Sequence, residues 1–346
     1  MQYQQMTLNV EGLSTFILAS NSEDAKSSQR NATLSDKIHE SQRAIILASE
    51  MSKRFYHKPL VITYSGGKDS DVLLHLAENC LKSDEFEVLN SHTSVDAPET
   101  VYHIRNVFKR LNDKGIKATV YQPKDKDGNP ITMWNLIPRK TVPPTRLHRY
   151  CCKVLKEAST PNSICLTGVR EAESAKRKGR DIFSITNHSE YLHFSLDHAQ
   201  EVFQESIEIN DDTWDCTLIK RMKENGNVVV TPIYYWTDED IWQYIKDEQM
   251  EVNPLYARGY HRVGCIGCPL ANHKQMLKEF RDYPKYRQLY ISAFDRMIEN
   301  RKAQGKFIEN EGYHNWTDGE AVFEWWLEEY KRNIKGQMNL EDMLNE

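Results

Sequence analysis

A strand, a glycine turn and a helix follow one another within residues 61–77, and this order constrains what the chain can fold into. The segment opens with the apolar, β-branched run Val-Ile-Thr and then turns at Ser-Gly-Gly-Lys-Asp-Ser. An apolar helical periodicity starts directly afterwards, which predicts a helix N-terminus at the turn. Glycines allow a ligand to approach the backbone closely, and the free N–H groups of a helix N-terminus favour phosphate. The segment therefore predicts a phosphate-binding loop formed by Ser65, Gly66, Gly67, Lys68, Asp69 and Ser70.

This loop lacks the Gly-x-x-x-x-Gly-Lys-Ser/Thr spacing of the Walker A motif. The hexapeptide after a strand instead resembles the PP-loop of the ATP pyrophosphatase and adenine-nucleotide α-hydrolase superfamily. The resemblance implies that the loop binds ATP or a related adenine nucleotide, together with Mg²⁺.

Short apolar strands alternate with helical patterns along the middle of the chain. Further strands are predicted at residues 86–90, 117–121, 163–167 and 228–230. Such alternation predicts an α/β fold, with a parallel sheet, right-handed crossovers and helices on both faces. The superfamily resemblance implies the same fold, of the adenine-nucleotide α-hydrolase-like (HUP) type. Ligands of these sheets bind beyond the carboxyl ends of the strands, where the loop at residues 65–70 falls.

The two ends of the chain differ from this middle part. Residues 1–33 are polar and predicted to be irregular, and Ser35 is a candidate N-cap for an amphipathic helix over residues 36–54. Beyond residue 274 the pattern is helical, with an aromatic stripe that predicts a packed core. We therefore expect an N-terminal segment (1–55), a PP-loop domain (56–270) and a helical C-terminal extension (271–346).

Composition bounds the cellular context. The formal net charge of −5 argues against broad, non-specific binding of nucleic acid, although a local basic patch remains compatible with it. The first residues lack the basic and apolar regions of a signal peptide, and no apolar run reaches the length of a membrane span. These features predict a cytoplasmic protein without a membrane partner, and disulfides are rare in that compartment.

Four of the seven cysteines form two motifs, the adjacent pair Cys151-Cys152 and the Cys-x-x-Cys of Cys265 and Cys268. The first pair lies in a cationic segment, residues 134–156, of an otherwise acidic protein. Four thiolates suit a [4Fe–4S] cluster or a structural zinc ion, and free thiols are the third possibility. The remaining cysteines, Cys80, Cys165 and Cys216, are predicted to be packing residues.

Five ordered motifs between residues 61 and 269 resemble those of the phosphoadenosine phosphosulfate (PAPS) reductase superfamily. They are the PP-loop, the loop with Thr93, Pro98, Glu99 and Thr100, the Arg-Tyr-Cys-Cys segment, a Gly-x-Arg-x-x-Glu-Ser-x-x-Arg motif from Gly168 to Arg177, and the Cys-x-x-Cys. Ser94 replaces a glycine of the family's second loop. A helix that follows Trp236 also matches, and we interpret it as structural.

The resemblance implies a set of functional residues. Lys68, Asp69 and Arg170 would be catalytic, while Thr93, Asp96, Gly168 and Arg170 would join residues 65–70 in binding the nucleotide. Cys151, Cys152, Cys265 and Cys268 would bind the [4Fe–4S] cluster, as in iron–sulfur members such as the ATP pyrophosphatases of DNA phosphorothioation.

Three functions follow as hypotheses. The first is an iron–sulfur ATP pyrophosphatase or adenylyl transferase linked to sulfur transfer or nucleic-acid modification, with a cysteine desulfurase or DNA-modification and defence proteins as partners. The second is a sulfonucleotide reductase that uses an external thiol, because no cysteine follows Cys268 in a place where sulfonucleotide reductases carry their nucleophile. The third is a non-catalytic nucleotide-binding subunit of a defence or DNA-modification complex. A homo-oligomer is compatible with each of them.

Overall fold

The computed structural model describes residues 23–156, 159–160, 162–174, 177–186, 191–208, 227–306 and 316–332. These residues form two compact units that interleave along the chain. Unit 1 comprises the described parts of residues 1–90, 103–119 and 160–253, and unit 2 those of residues 91–102, 120–159 and 254–346. The three consecutive domains expected from the sequence stay a prediction, and Cys216 lies outside the described residues.

Most of unit 1 is built on a seven-stranded sheet. Its strands are β1 (Leu60–Thr63), β2 (Phe86–Ser91), β3 (Ala118–Tyr121), β4 (Ser163–Leu166), β5 (Phe183–Thr186), β6 (Tyr191–Phe194) and β7 (Asn227–Val230), in the order β3-β2-β1-β4-β7-β5-β6. Strand β1 pairs in parallel with β2 and β4, and β4 pairs in parallel with β7. The predicted α/β fold is therefore confirmed.

Strands β5 and β6 depart from the predicted pattern, because β5 runs antiparallel to both β7 and β6. The sequence did not predict either strand, since Ser184 and His193 interrupt the short apolar runs that marked β1, β4 and β7. The central strands are covered on both faces. Consecutive side chains of a strand point to opposite faces, and every residue of β4 is buried, as are Leu60, Val61 and Ile62 of β1.

The described helices are α1 (Glu23–Asn31), α2 (Leu34–Met51), α3 (Lys68–Cys80), α4 (Pro98–Asp113), α5 (Met133–Lys140), α6 (Tyr150–Leu155), α7 (Leu196–Glu208), α8 (Asp238–Asp247), α9 (His273–Asp282), α10 (Pro284–Ala303) and α11 (Gly319–Arg332). The sequence predicted helical periodicity at seven of them, whereas α1, α5, α6 and α7 were not predicted. No helix in the described part of the chain is both long and apolar enough to cross a membrane.

The N-terminal prediction was wrong in two respects. Helix α1 occupies part of the segment that was expected to be irregular, of which residues 1–22 lie outside the described residues. The N-cap of α2 is Thr33 and not Ser35, because the Thr33 hydroxyl accepts a hydrogen bond from the Asp36 amide while the Asp36 carboxylate accepts one from the Thr33 amide. This reciprocal pair satisfies two polar groups at the helix start, which a cap at Ser35 would leave unpaired.

Unit 2 contains the aromatic core that the sequence predicted. The rings of Tyr290 and Trp326 lie 5.0 Å apart, and those of Phe280 and Phe323 lie 4.9 Å apart. Pro138 lies inside helix α5, although a proline in a helix interior usually breaks or kinks the helix. Proline cannot bond the carbonyl four residues earlier. That carbonyl, of Trp134, instead accepts a hydrogen bond of 3.0 Å from Arg296 Nη2.

Candidate functional site

The predicted phosphate-binding loop joins β1 to α3 in unit 1. Gly66 has a φ of +73°, a conformation that favours glycine, and α3 begins two residues later at Lys68. The Ser70 hydroxyl accepts a hydrogen bond from the Gly67 amide (3.2 Å) and donates one to the Gly67 carbonyl (2.8 Å). From outside the loop, Asn253 Nδ2 donates to the Gly66 carbonyl at 2.9 Å. The loop is therefore held in one shape at a helix N-terminus.

Four charged side chains lie together at the start of α3. Lys68 Nζ lies 3.2 Å from an Asp69 carboxylate oxygen and 3.1 Å from Asp238 Oδ1. Arg170 bridges the same two carboxylates, with Nε 2.6 Å from Asp69 and Nη2 2.7 Å from Asp238. The Arg170 side chain is only 2% exposed, so its charge depends on these partners. The structure thus brings together the predicted residues Lys68, Asp69 and Arg170.

Asp238 is a site residue that sequence reasoning missed. Helix α8 was interpreted as structural, and its cap is indeed Thr237, whose hydroxyl accepts from the Asp240 amide. Although burial opposes the shift, the Lys68 and Arg170 cations hold the pKa of Asp238 below its usual value. A carboxylate at the first position is common at any helix N-terminus, so it did not identify Asp238 as a site residue.

Gly168 allows the loop and the adjoining strand to approach each other. A β-carbon at this position would lie 3.0 Å from the Asp69 carbonyl carbon and oxygen and 3.1 Å from the Ser70 nitrogen. These are backbone atoms, which cannot move aside as a flexible side chain would. The glycine that the sequence placed in the nucleotide site therefore has a steric role beside the first turn of α3.

A buried polar cluster includes the residues directly before and directly after the phosphate-binding loop. Tyr64 precedes Ser65, Asp71 follows Ser70, and the Tyr64 hydroxyl donates a hydrogen bond to the Asp71 carboxylate. His103 Nε2 lies 3.1 Å from both the Tyr64 hydroxyl oxygen and Asp71 Oδ1. Burial, and then the Asp71 charge, raise the pKa of Tyr64, so this phenol keeps its proton. The cluster ties the end of β1 to the first turn of α3, and sequence reasoning did not find it.

The remaining residues of the Gly-x-Arg motif support Arg170. The Arg177 guanidinium pairs with Glu173 and donates a hydrogen bond of 3.2 Å to the Arg170 carbonyl. The Glu173 carboxylate also accepts from the Arg170 amide at 3.3 Å. The motif is therefore a local scaffold that fixes the backbone from which Arg170 extends.

The four cysteines of the two motifs lie in unit 2, within one apolar cluster. Cys151 and Cys152 stand in the first turn of α6, and the amide of Cys268 donates to the carbonyl of Cys265 at 3.2 Å. A hydrogen bond with Cys152, burial and the nearby charges of Cys152, Cys265 and Cys268 raise the pKa of the Cys151 thiol. The sulfur atoms of Cys152, Cys265 and Cys268 thus lie within electrostatic range of Cys151.

This donor set fits a thiolate-bound metal centre in its chemistry. Among the described residues, no three thiol, imidazole or carboxylate groups stand in ligand geometry around one point. Burial raises the pKa of the Cys265 thiol to about 12, while the nearby Lys156 ammonium opposes that rise. In turn the charge of Cys265, followed by those of Asp96, Cys152 and Cys268, raises the pKa of Lys156. A cation within electrostatic range of Cys152, Cys265 and Cys268 suits a centre of net negative charge.

The turn that carries the Cys-x-x-Cys motif packs directly on the aromatic core. Gly267 has a φ of +69°, and a β-carbon there would lie 2.8 Å from Phe280 Cζ and 3.0 Å from Trp326 Cη2. The Gly267 amide donates to the Glu279 carboxylate at 2.8 Å, and the Tyr290 hydroxyl donates to the Ile266 carbonyl at 2.9 Å. Only glycine fits this position, so helices α9, α10 and α11 fix the second pair of cysteines.

Thr93 and Asp96, which the sequence assigned to the nucleotide, lie in unit 2 against Cys265. The Thr93 hydroxyl donates to the Asp96 carboxylate at 2.7 Å, and Cys265 Sγ lies 3.5 Å from Thr93 Oγ1. The Tyr286 hydroxyl fixes the same loop by donating to the Asp96 carbonyl at 2.8 Å. Contact of Thr93 and Asp96 with a nucleotide stays a prediction.

Comparison with known proteins identifies the class to which this fold and these motifs belong. The phosphoadenosine phosphosulfate reductase domain matches residues 59–271, which is more than half of the chain, and the chain therefore belongs to that family. An uncharacterised protein of Methanocaldococcus jannaschii is 24% identical over 228 residues, 66% of this chain and 40% of that protein. An adenosine 5′-phosphosulfate reductase of Anoxybacillus flavithermus is 22% identical over 219 residues, 62% of this chain and 74% of the reductase. The chain thus spans less than half the length of its archaeal relative.

Among solved structures, the U34-tRNA thiolase of Methanococcus maripaludis, which contains a [4Fe–4S] cluster, is 13% identical and covers 82% of this chain and 84% of its own. Its TM-score is 0.38, so we draw nothing about function from this likeness.

Proposed function

We propose that the chain binds ATP at residues 65–70 and cleaves it between the α- and β-phosphates. The adenylyl group passes to an acceptor or to water, and pyrophosphate leaves. The observation that carries this proposal is the buried Arg170, which meets Lys68 at the N-terminus of α3 through two shared carboxylates. Two fixed cations and a row of backbone amides at one place suit a triphosphate.

The roles of the residues follow from their charges. The loop amides and Lys68 would hold the departing pyrophosphate, and Arg170 would offset the charge that develops on the transferred phosphoryl group. Before the nucleotide binds, Asp69 and Asp238 stabilise both cations. Phosphate oxygens that replace these carboxylates would release hard oxygen ligands for Mg²⁺, which supplies further charge neutralisation to the bound phosphates.

We further propose that Cys151, Cys152, Cys265 and Cys268 bind a [4Fe–4S] cluster. Support comes from the chemistry of four thiols that belong to one apolar cluster of unit 2, and from Lys156, which lies within electrostatic range of three of them. When bound, the cluster supplies sulfur or electrons to the product of the adenylylation step. Zinc suits the same donors, and metal analysis of anaerobically purified protein separates iron with sulfide from zinc.

In this proposal the adenylylation step activates an acceptor for sulfur transfer or nucleic-acid modification. A sulfur-donor protein such as a cysteine desulfurase, or the proteins of a DNA-modification or defence system, would then be its partners. The sequence motifs that are shared with iron–sulfur ATP pyrophosphatases support this assignment.

Pyrophosphate release from ATP tests the reaction. We expect the wild-type protein to release pyrophosphate, and Lys68→Ala to reduce the rate by about 10²–10³, the usual cost of removing one transition-state contact. Lys82→Ala, at an exposed lysine of unit 1 away from the loop, is the matched control and should keep the wild-type rate. Nucleotide binding without any pyrophosphate release, with or without candidate acceptors, would contradict catalysis and favour a nucleotide-binding subunit.

A second candidate function is reduction of a sulfonucleotide with an external thiol. Membership of the reductase domain family and the similarity to the Anoxybacillus flavithermus enzyme favour it. Within these 346 residues, however, no cysteine follows Cys268 to act as the nucleophile on the sulfonyl sulfur. Sulfite release from adenosine 5′-phosphosulfate in the presence of thioredoxin, without pyrophosphate release from ATP, would replace the first proposal by this one.

A further inference from the structure

A groove of about 480 Å³ lies in unit 2 beside the first cysteine pair. Four of its lining residues are basic, namely Lys140, His148, Arg149 and Lys153, and none is acidic. The whole chain carries a formal net charge of −5, so the positive charge of this groove is opposite in sign to the net charge of the protein. Like charges gathered without counter-charges repel one another, and they create a potential that attracts a polyanion.

Neighbouring cations differ from the four in the groove because they have protein partners. Arg139 pairs with Asp125 at 2.9 Å, and Arg146 donates hydrogen bonds of 3.2 Å to the carbonyls of Pro269 and Ala271. In the part of the chain that the structure describes, no carboxylate pairs with the four groove residues. Arg139 and Arg146 therefore already have partners within the fold, whereas the four groove residues remain available to a ligand.

The wall of the groove is held in place before any ligand binds. The Tyr150 hydroxyl donates to the Val142 carbonyl at 2.8 Å, which closes the segment between α5 and α6. Within that segment the Thr145 hydroxyl accepts from the His148 amide at 3.1 Å, and Trp326 Nε1 donates to the Pro144 carbonyl at 2.7 Å. A preformed wall loses little conformational freedom when a ligand binds.

The groove also offers surfaces that suit flat, partly apolar groups. Leu147 is 57% exposed, and the planar side chains of His148 and Arg149 follow it. Nucleobases stack on imidazole and guanidinium planes, and lysines contact the phosphates between them. An acidic peptide would use the lysines but gain little from stacking planes. A free phosphate ion is far smaller than the groove.

We propose that this groove binds a single strand of nucleic acid, with Lys140 and Lys153 on phosphates and His148 and Arg149 against bases. Because Arg149 lies two residues before Cys151 and Lys153 directly follows Cys152, the bound strand would lie beside these thiols. That the strand is the acceptor of the reaction rests on the proposed function, whereas the binding itself does not.

Fluorescence anisotropy with labelled 12-nucleotide RNA and DNA strands, titrated with the full chain at several salt concentrations, tests the proposal. We expect Lys140→Ser with Lys153→Ser to weaken binding about tenfold or more and to lower the salt slope by about 1.4, from two lost phosphate contacts. Lys274→Ser with Lys285→Ser removes the same charge from exposed positions of α9 and α10, and should leave affinity nearly unchanged. His148→Ala should weaken binding about tenfold without changing the salt slope.

Three results would contradict the proposal that the groove binds a nucleic-acid strand. They are equal loss of affinity in both double variants, equal or tighter binding of a poly-glutamate peptide, and no binding of either strand by the wild-type protein. The absence of binding contradicts the proposal only if circular dichroism shows that the wild-type protein and the variants are folded. If the protein binds the nucleic-acid strand but releases no pyrophosphate from ATP, the binding proposal is supported and only the proposed reaction is contradicted.

Discussion

Ser94 shows how one residue departs from the pattern of its family without a change in backbone shape. The resemblance places a glycine at this position, and Ser94 keeps a left-handed conformation, with a φ of +65°. Such a conformation costs a residue with a side chain about 1 kcal/mol relative to glycine. Ser94 offsets this cost, because its hydroxyl accepts from the Met133 amide at 2.9 Å and donates to the Thr93 carbonyl at 2.5 Å. Serine at this position thus loses the conformational freedom of glycine but gains a hydrogen bond that caps the N-terminus of helix α5.

We therefore predict a definite order of stability at position 94. Ser94→Ala should lower the free energy of unfolding by about 1–2 kcal/mol, because it keeps the strain and leaves the Met133 amide unsatisfied. Ser94→Gly loses the same hydrogen bonds but removes the strain, so it should be about 1 kcal/mol more stable than Ser94→Ala. Urea unfolding of the three proteins measures both differences. If Gly and Ala variants are equally stable, the left-handed conformation is not the origin of the effect.

At the scale of elements, strand β4 and helix α3 meet through a glycine. Gly168→Ala should destabilise the fold by about 1–3 kcal/mol, because the added methyl group meets backbone atoms of Asp69 and Ser70 near 3.0 Å. Displacement of the first turn of α3 should also weaken ATP binding. Gly264→Ala is the matched control, since a β-carbon there has no neighbour within 4 Å. Thermal unfolding and ATP titration check the two expectations, and a Gly168→Ala protein with wild-type stability and affinity would contradict them.

The antiparallel strands β5 and β6 supply a second prediction at this scale. Ser184 and His193 face each other across the pair, with Ser184 Oγ 2.8 Å from His193 Nδ1. Burial, and then the charges of Arg180 and Lys26, lower the pKa of His193 to about 4. The unfolded chain, with a histidine pKa of about 6.5, binds the proton more readily than the folded chain. Stability from this site is thus complete above about pH 6.5 and is lost as the pH falls towards about 4.

We expect this histidine to contribute about 1–2 kcal/mol to the fall in stability between pH 7.5 and pH 4.5, a value reduced for partial solvent screening. His193→Gln keeps a hydrogen-bonding side chain but cannot be protonated, so its stability should depend less on pH. Urea unfolding at several pH values measures the difference, with His261→Gln, at an exposed histidine, as control. Parallel pH profiles of the wild-type and His193→Gln proteins would show that His193 is not responsible.

At the scale of the whole molecule, the predicted site residues divide between two compact units. The phosphate-binding loop and Arg170 belong to unit 1, and all four cysteines of the proposed cluster belong to unit 2. Each group is held by its own surroundings, the loop by Asn253 and Gly168, and the Cys-x-x-Cys turn by the aromatic core around Gly267. Damage to one group should therefore leave the other intact.

The corresponding prediction concerns iron content and nucleotide affinity. Lys68→Ala should retain the iron and sulfide of the anaerobic wild-type protein, whereas Cys265→Ser should lose them and still bind ATP within about threefold of the wild-type affinity, a change below 1 kcal/mol. Cys80→Ser, at a half-buried cysteine outside the two motifs, is the control and should keep its iron. Loss of iron from Lys68→Ala, or equal loss from Cys80→Ser, would contradict this separation.

The sequence by itself determined the parallel core and the phosphate-binding loop, because both follow from local patterns. Apolar β-branched runs, glycine turns and helical periodicity depend only on residues close in sequence, and they predicted β1, β2, β3, β4, β7 and α3. The cysteine motifs and Arg170 were found through a family resemblance, which carries information about residues that are far apart in the chain.

Only the tertiary structure decided which distant side chains meet. Asp238 lies 170 positions after Lys68 in the sequence, and its contact with Lys68 and Arg170 arises from the packing of α8, which no local pattern encodes. Helix α5 likewise continues through Pro138 because Arg296, from a helix much later in the chain, satisfies the carbonyl that proline cannot bond. The antiparallel strands β5 and β6 form because β7 offers its edge to β5, and β5 in turn pairs with β6. In each case the deciding energy comes from a contact that exists only after the chain has folded.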